Sequence, residues 1–269
     1  MTMRLRVDHT TRYQYDAPVA YALQQVKLTP KERPGQQLIH GWTVEISGGT
    51  NQLHYTDHHG NGVDLIAVDP GARELVIHCS GEVELISWDG VIGVHRGAMP
   101  LWTFLRPTPL TRAGRHVRTL IAELGRDFGS DIERAHALSA LILRKLPYSI
   151  GVTGAETTAE QALGGAGGVC QDHAHIFISA MRHLGHPARY VSGYLKMNDR
   201  TQQDATHGWA EAHFDAIGWV GFDVSNGYSP DQRYIRVATG LDYHDAAPVR
   251  GMRYGAAQEN LVVELQVQQ

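Results

Sequence analysis

The chain opens with strict alternation. Leu5, Val7, His9, Thr11, Tyr13 and Tyr15 fall on one side of an extended segment, and Arg4, Arg6, Asp8, Thr10, Arg12 and Gln14 on the other. A period of two predicts a strand with one buried face. The pattern returns at Leu38, His40, Trp42, Val44 and Ile46 and again at Leu75, Ile77 and Cys79, with turn chemistry at Ser47-Gly48-Gly49 and Gly60-Asn61-Gly62. Short strands divided by Gly and Asn turns predict an antiparallel β-sandwich or curled sheet over residues 1–105. Cys79, on the apolar side of its strand, reads as a small core hydrophobe and not as a nucleophile.

The period then changes. Pro100, Pro107 and Pro109 cluster in a connector, after which Val117, Leu120, Ile121 and Leu124 recur at helical spacing. Ser130 with Glu133 reads as a capping box opening a second helix through Ala135, Leu138 and Ile142, which Pro147 closes. Residues 106–269 are therefore expected to form a second domain, and the fold class is α+β.

Composition narrows the function classes. The chain has 269 residues, 42% of them apolar and 19% charged, which fits a folded protein with a hydrophobic core. Lys and Arg number 24 against 28 Asp and Glu, with no basic block, so nucleic acid is not expected as a partner and phosphate ligands are disfavoured. Two cysteines cannot build a disulfide framework. No charged-then-apolar leader and no run of about 18 apolar residues is visible, so the expectation is a cytoplasmic chain with reduced thiols and no membrane association. Sixteen histidines raise the question of a metal.

The most informative segment is Gly164-Gly165-Ala166-Gly167-Gly168-Val169-Cys170-Gln171-Asp172-His173-Ala174-His175-Ile176-Phe177. Ala174, Phe177, Ile178 and Met181 fall at helical offsets from Cys170, so the cysteine should head the apolar stripe of a helix. In the first turn, unpaired N–H groups and the helix dipole favour a thiolate. The glycines before it would let a substrate backbone approach.

A thiol nucleophile needs a proton carrier, and His207-Gly208-Trp209-Ala210-Glu211-Ala212-His213-Phe214 supplies one on a predicted strand. A second strand follows at Trp219-Val220-Gly221-Phe222-Asp223-Val224. Asp223 can orient the His207 imidazole only if the hairpin register puts both on one face. A two- or four-residue loop places them on opposite faces. A three- or five-residue loop sets Asp223 opposite Trp209, diagonal to His207 and on its side, so an odd loop or a bulge is predicted. Trp209 and Trp219 read as core or cleft wall.

These segments, with Ala188-Arg189-Tyr190-Val191-Ser192-Gly193-Tyr194, resemble the transglutaminase-like superfamily. More narrowly they resemble its bacterial cysteine-peptidase branch, which carries a β-rich N-terminal region. Tyr13-Gln14-Tyr15 and Val26-Lys27-Leu28-Thr29-Pro30 are similar to that region. Ile235-Arg236-Val237-Ala238, Asp242-Tyr243 and Pro248-Val249-Arg250-Gly251 are similar to the family's C-terminal stretch. The resemblance implies a papain-like α+β core, with Cys170 as nucleophile, His207 as general base and then acid, and Asp223 as the orienting carboxylate. It implies acyl transfer at an amide or peptide bond, by hydrolysis or by transamidation, with a peptide or amide as partner. The chain departs from the family at His173, where an aromatic residue is common, and at Gly208, where alanine is more usual.

Two other readings stand beside this one. A transglutaminase-like scaffold could bind a peptide or protein without catalysis, although it would have no need of all three polar residues. A zinc hydrolase would use the H-x-H pair His173 and His175 or the adjacent His58 and His59, but residues i and i+2 of a helix point about 200° apart, which opposes shared coordination. No dinucleotide fingerprint, phosphate-binding loop or acidic calcium loop is present, so no metal and no organic cofactor is expected.

Overall fold

The first strand adopts the alternation written into it. A computed structural model describes residues 2–255 and 258–269. In it β1 (Thr2–Tyr15) buries Leu5, Val7, His9, Thr11, Tyr13 and Tyr15 and turns Arg4, Arg6, Asp8 and Gln14 to solvent. Its neighbours are β6 (Glu74–Ile86) and β14 (Glu259–Gln268), both antiparallel. β3 (Gln37–Ser47) lies beyond β6, and the short β9 (Gln202–Gln203) beyond β14.

A second antiparallel sheet has the order β13 (Val249–Tyr254), β2 (Tyr21–Val26), β5 (Gly62–Val68) and β4 (Gly49–Thr56). Gly48, at φ +78°, takes the chain from β3 in one sheet to β4 in the other, and a Cβ there would collide with the Glu74 carbonyl. Tyr13, Val26, Ile66, Leu75, Ile77 and Cys79 fill the core between the two sheets. Cys79 is fully buried, as its strand position predicts.

One strand departs from its sequence pattern. The register of β3 against β6 shifts between Ile39 and Trp42, with Gly41 at φ +96°. This bulge reverses the facing of the residues before it. Trp42, Val44 and Ile46 pack inward as expected, but Ile39 joins them while His40 is exposed and bonds Glu84 at 3.0 Å.

The third sheet has the order β12 (Tyr234–Gly240), β8 (Ala188–Leu195), β10 (His207–Phe214), β11 (Gly218–Phe222) and β7 (Val91–Gly93). Four helices cover it: α1 (Arg115–Leu124), α2 (Asp131–Lys145), α3 (Ala159–Leu163) and α4 (Cys170–His183). A one-turn α5 (Tyr243–Ala246) follows β12. The predicted apolar stripes are buried: Val117 and Leu120 on α1, Ala135, Leu138 and Ile142 on α2, and Ala174, Phe177, Ile178 and Met181 on α4 share one cluster with Ala210 and Ala212 of β10. Ser130 caps α2 by accepting from the Glu133 N–H at 3.2 Å, while the Glu133 carboxylate takes Gly129 N–H at 2.9 Å.

Strand pairing crosses the expected division at residues 105 and 106 in both directions. β7 joins the helix-covered sheet, whereas β13 and β14 return from the chain end to complete the two N-terminal sheets. Where β1, β6 and β14 meet β8 and β12, Leu5, Val7, Val83, Tyr194, Ile235 and Val267 form a joint core. The Tyr194 hydroxyl there lies 3.0 Å from Nδ1 of buried His9 and 3.5 Å from the Cys79 sulfur. Burial pushes the His9 pKa down to about 4, so a neutral imidazole serves this junction. Among the described residues no helix is long and apolar enough to cross a membrane.

Candidate active site

The site begins with a helix start. Cys170 is the first residue of α4, where backbone amides have no partner within the helix. Asp172, two residues on, folds its carboxylate back to accept from Val169 N–H at 2.8 Å and from the Thr153 hydroxyl at 2.6 Å. This fixes the turn that presents the thiol. Cys170 is partly exposed, in contrast to Cys79.

The glycines before Cys170 are required by the protein's own packing. A Cβ on Gly167 would meet Ser149 at 2.7 Å, one on Gly168 would meet Asp172 at 2.9 Å, and one on Gly164 would meet the His116 ring at 2.6 Å. The segment is small because residues 147–149 pack against it, with Ser149 N–H bonded to Gly168 O at 2.8 Å.

The hairpin carries the other two candidates. Phe214 pairs with Gly218, so the loop is the three residues 215–217, and the register sum is the odd-loop value that the sequence requires. Asp223 follows β11 directly and lies on the His207 side: His207 Nε2 and Asp223 Oδ2 are 2.6 Å apart. Both residues are buried. With Nε2 committed to Asp223, Nδ1 is the ring nitrogen that Asp223 does not hold. Burial works against an imidazolium here, but the Asp223 charge and hydrogen bond, with the contact to Cys170, raise the His207 pKa well above 6.5. Asp223 is likewise opposed by burial, yet His207, Asn226 and Tyr234 hold its carboxyl below the ordinary value.

Sequence reasoning missed two of those partners. Asn226 donates from Nδ2 to Asp223 Oδ2 at 2.7 Å and from its backbone N–H to Oδ1 at 3.2 Å, and the Tyr234 hydroxyl donates to Oδ2 at 2.6 Å. An Asx-type turn three residues past Asp223 was readable from the sequence. Tyr234 was not, because it arrives from a separate strand. Trp209 stacks on His207, with centroids 6.2 Å apart and planes at 26°, and forms the wall behind the imidazole. Trp219 lies elsewhere in the core, beside Phe104.

Both departures from the family pattern have a local cause. His173 donates from Nε2 to the Leu146 carbonyl at 2.8 Å and accepts at Nδ1 from the Ser225 hydroxyl at 2.7 Å, an assignment that fits a pKa lowered by burial. It ties α4 to the turn that carries Asp223. Gly208 has no Cβ because the Tyr190 hydroxyl fills that space. Burial raises the pKa values of Tyr148, Tyr190 and Tyr243, so these phenols keep their protons.

The histidine pairs do not converge on an ion. His175 turns away from His173 and accepts from Tyr243 N–H at 3.1 Å, and His59 lies 3.3 Å from Asp245. Among the described residues no group of three or more His, Cys, Asp or Glu is arranged to hold a metal.

Comparison with known proteins agrees with this fold. Residues 5–84 match the bacterial transglutaminase-like N-terminal region, and residues 118–224 match the transglutaminase-like superfamily. The chain is 30% identical to the uncharacterized protein ML0607 of Mycobacterium leprae, covering 98% of each chain. It is 29% identical to the uncharacterized protein Rv2569c of Mycobacterium tuberculosis, covering 99% of this chain and 92% of that one. A crystal structure named "a Putative Cysteine Protease from Cytophaga hutchinsonii" superimposes with a TM-score of 0.79 at 21% identity, covering 100% of this chain and 92% of that one. Two matched regions in the expected order, and relatives that align from end to end, place this chain in the transglutaminase-like superfamily, with a bacterial transglutaminase-like N-terminal region.

Proposed function

We propose that the protein is a thiol acyl-transfer enzyme that hydrolyses an amide or peptide bond, with Cys170, His207 and Asp223 as its triad. The observation that carries the reading is the 2.6 Å bond between His207 Nε2 and Asp223, which leaves the second ring nitrogen to Cys170 at a helix start. The Cys170 sulfur attacks the amide carbonyl, and its N–H is in position to stabilise the resulting oxyanion. The C–N bond then breaks as His207 gives its proton to the departing amine, leaving a thioester. Water, losing a proton to His207, attacks the thioester and releases the acid and the free thiol.

An amine in place of water would make the same residues a transamidase. A peptide-library digestion read by mass spectrometry, with and without added primary amine, separates the two. New peptide termini that are absent with Cys170→Ala are expected. Products found only when amine is present would replace hydrolysis with transamidation. Turnover that survives Cys170→Ala would end the proposal.

A further inference from the structure

Away from the triad, a cavity of about 460 Å³ opens between the N-terminal sheets and the helix-covered sheet. Lys31 and Arg33 line it from the loop before β3, Arg96 from the loop after β7, Arg189 from β8 and Arg236 from β12, with Trp219 as an aromatic wall. None of the triad residues lines it. Glu211, four residues along β10 from His207, sits beneath it, roughly 13 Å away by strand rise.

The charges in this cavity do not balance. Glu211 is fully buried and already shared: Arg189 donates to it at 2.6 Å, and Arg236 donates twice, at 2.8 and 2.9 Å. Asp57, near Lys31, is paired with Lys27 at 3.3 Å. Glu32 is exposed. Among the described residues no carboxylate lies within ion-pair distance of Lys31, Arg33 or Arg96. Burial, and then the nearby Arg236, depress the pKa of both Lys31 and Arg33, the latter to about 9. Cations collected this way repel one another unless an anion enters.

The cluster is also held in place. Buried Gln37 donates from Nε2 to the backbone carbonyls of Lys31 at 2.8 Å and Arg236 at 2.9 Å, and its Oε1 accepts from Arg236 N–H at 3.0 Å. One side chain thus locks two cation-bearing segments together. His95 fixes the Arg96 loop: its Nδ1 accepts from the Trp219 indole at 3.1 Å, and its Nε2 donates to the Met99 carbonyl at 2.6 Å. Preorganised guanidinium forks are suited to oxyanions.

We infer that this cavity is a binding site for a small phosphate-bearing anion of about diphosphate size, separate from the thiol site. Several cations in excess of the available carboxylates call for more than one negative charge, which a monocarboxylate does not supply. Arg189 already covers one face of the Trp219 ring, 3.8 Å from its centroid, and the ring is otherwise buried, so the site reads a charged head group and offers no open indole face to a nucleobase.

The test is calorimetric titration of the full chain with inorganic pyrophosphate, with succinate as a carboxylate control. Saturable one-to-one binding is expected, weakened about tenfold or more by Arg33→Gln and by Lys31→Gln, and unchanged by Arg118→Gln on exposed α1. Ligand-free Arg33→Gln should melt no lower than the parent protein, since it loses a repelled cation. Absence of saturation, an equal loss with Arg118→Gln, succinate binding as tight as pyrophosphate, or a marked drop in the melting temperature of the ligand-free Arg33→Gln and Lys31→Gln variants would each overturn the assignment.

Discussion

The hydroxyl of Tyr190 occupies the space that a side chain at residue 208 would need, and Gly208 directly follows the imidazole His207. A strand residue beside the candidate triad is therefore small because of a tyrosine on the neighbouring strand. Gly208→Ala is expected to push the phenol aside and lower turnover by about tenfold or more, since a displacement of about 1 Å near reacting groups is costly. Tyr190→Phe in the same chain removes the atom in closest conflict and should recover part of the loss. Steady-state kinetics of the two single variants and the double variant measure this, and a double variant no better than Gly208→Ala would show that the hydroxyl is not the obstacle.

The two thiols should differ sharply toward an alkylating reagent. Cys79 is fully buried beneath Tyr194, and burial pushes its pKa up to about 12, whereas Cys170 is partly open at a helix start. Iodoacetamide at mildly acidic pH is expected to add one group to the native chain, at Cys170. Intact mass on Cys170→Ala and Cys79→Ala checks it; rapid labelling of Cys170→Ala would contradict the assignment.

The His207–Asp223 pair makes stability depend on pH in a bounded window. Folding raises the His207 pKa above 6.5, so its contribution is full below that pH and fades as the pH rises through the raised value. Folding lowers the Asp223 pKa below 3.8, so that contribution is full above that pH and fades as the pH falls through the lowered value. Asp223→Asn should therefore cost most between these two ordinary values, about 2 kcal/mol, and less at either extreme. Thermal melts of both proteins from acid to alkaline pH give the profile. A gap that widens steadily toward alkaline pH would contradict it.

Glu211 answers two buried arginines at once. Glu211→Gln removes the carboxylate while leaving Arg189 and Arg236 in place, and should destabilise the fold by about 3–5 kcal/mol. Urea denaturation followed by tryptophan fluorescence is a direct measure. A loss below about 1 kcal/mol would mean that solvent or a bound anion already neutralises the arginines.

Local rules were readable in the sequence wherever a single segment contains the whole pattern. The inward set of β1, the apolar stripe of α4 and the parity of the β10–β11 loop all follow from spacing within a few residues. The register argument even placed Asp223 on the side of His207. The bulge at residues 40–41 was less visible, since one extra residue reverses the alternation without changing composition. Longer-range assembly was not legible. Tyr234 reaches Asp223 from another strand, and the cations at residues 31, 33, 96, 189 and 236 are too scattered to form a basic block. A count of charge along the chain does not reveal this cluster, because the fold and not the sequence order gathers these side chains. The strands that close the N-terminal sheets come from the far end of the chain, which no local period announces.

That last pairing bears on how the molecule is made. β1 is synthesised well before β14, yet they share a ladder from Arg6 to Tyr15. Until β14 is made, one edge of β1 therefore waits without its native neighbour, an open template for wrong partners. Cys170, His207 and Asp223 all emerge earlier than the strand that seals the sandwich, so a growing chain depends on β14 for protection from aggregation.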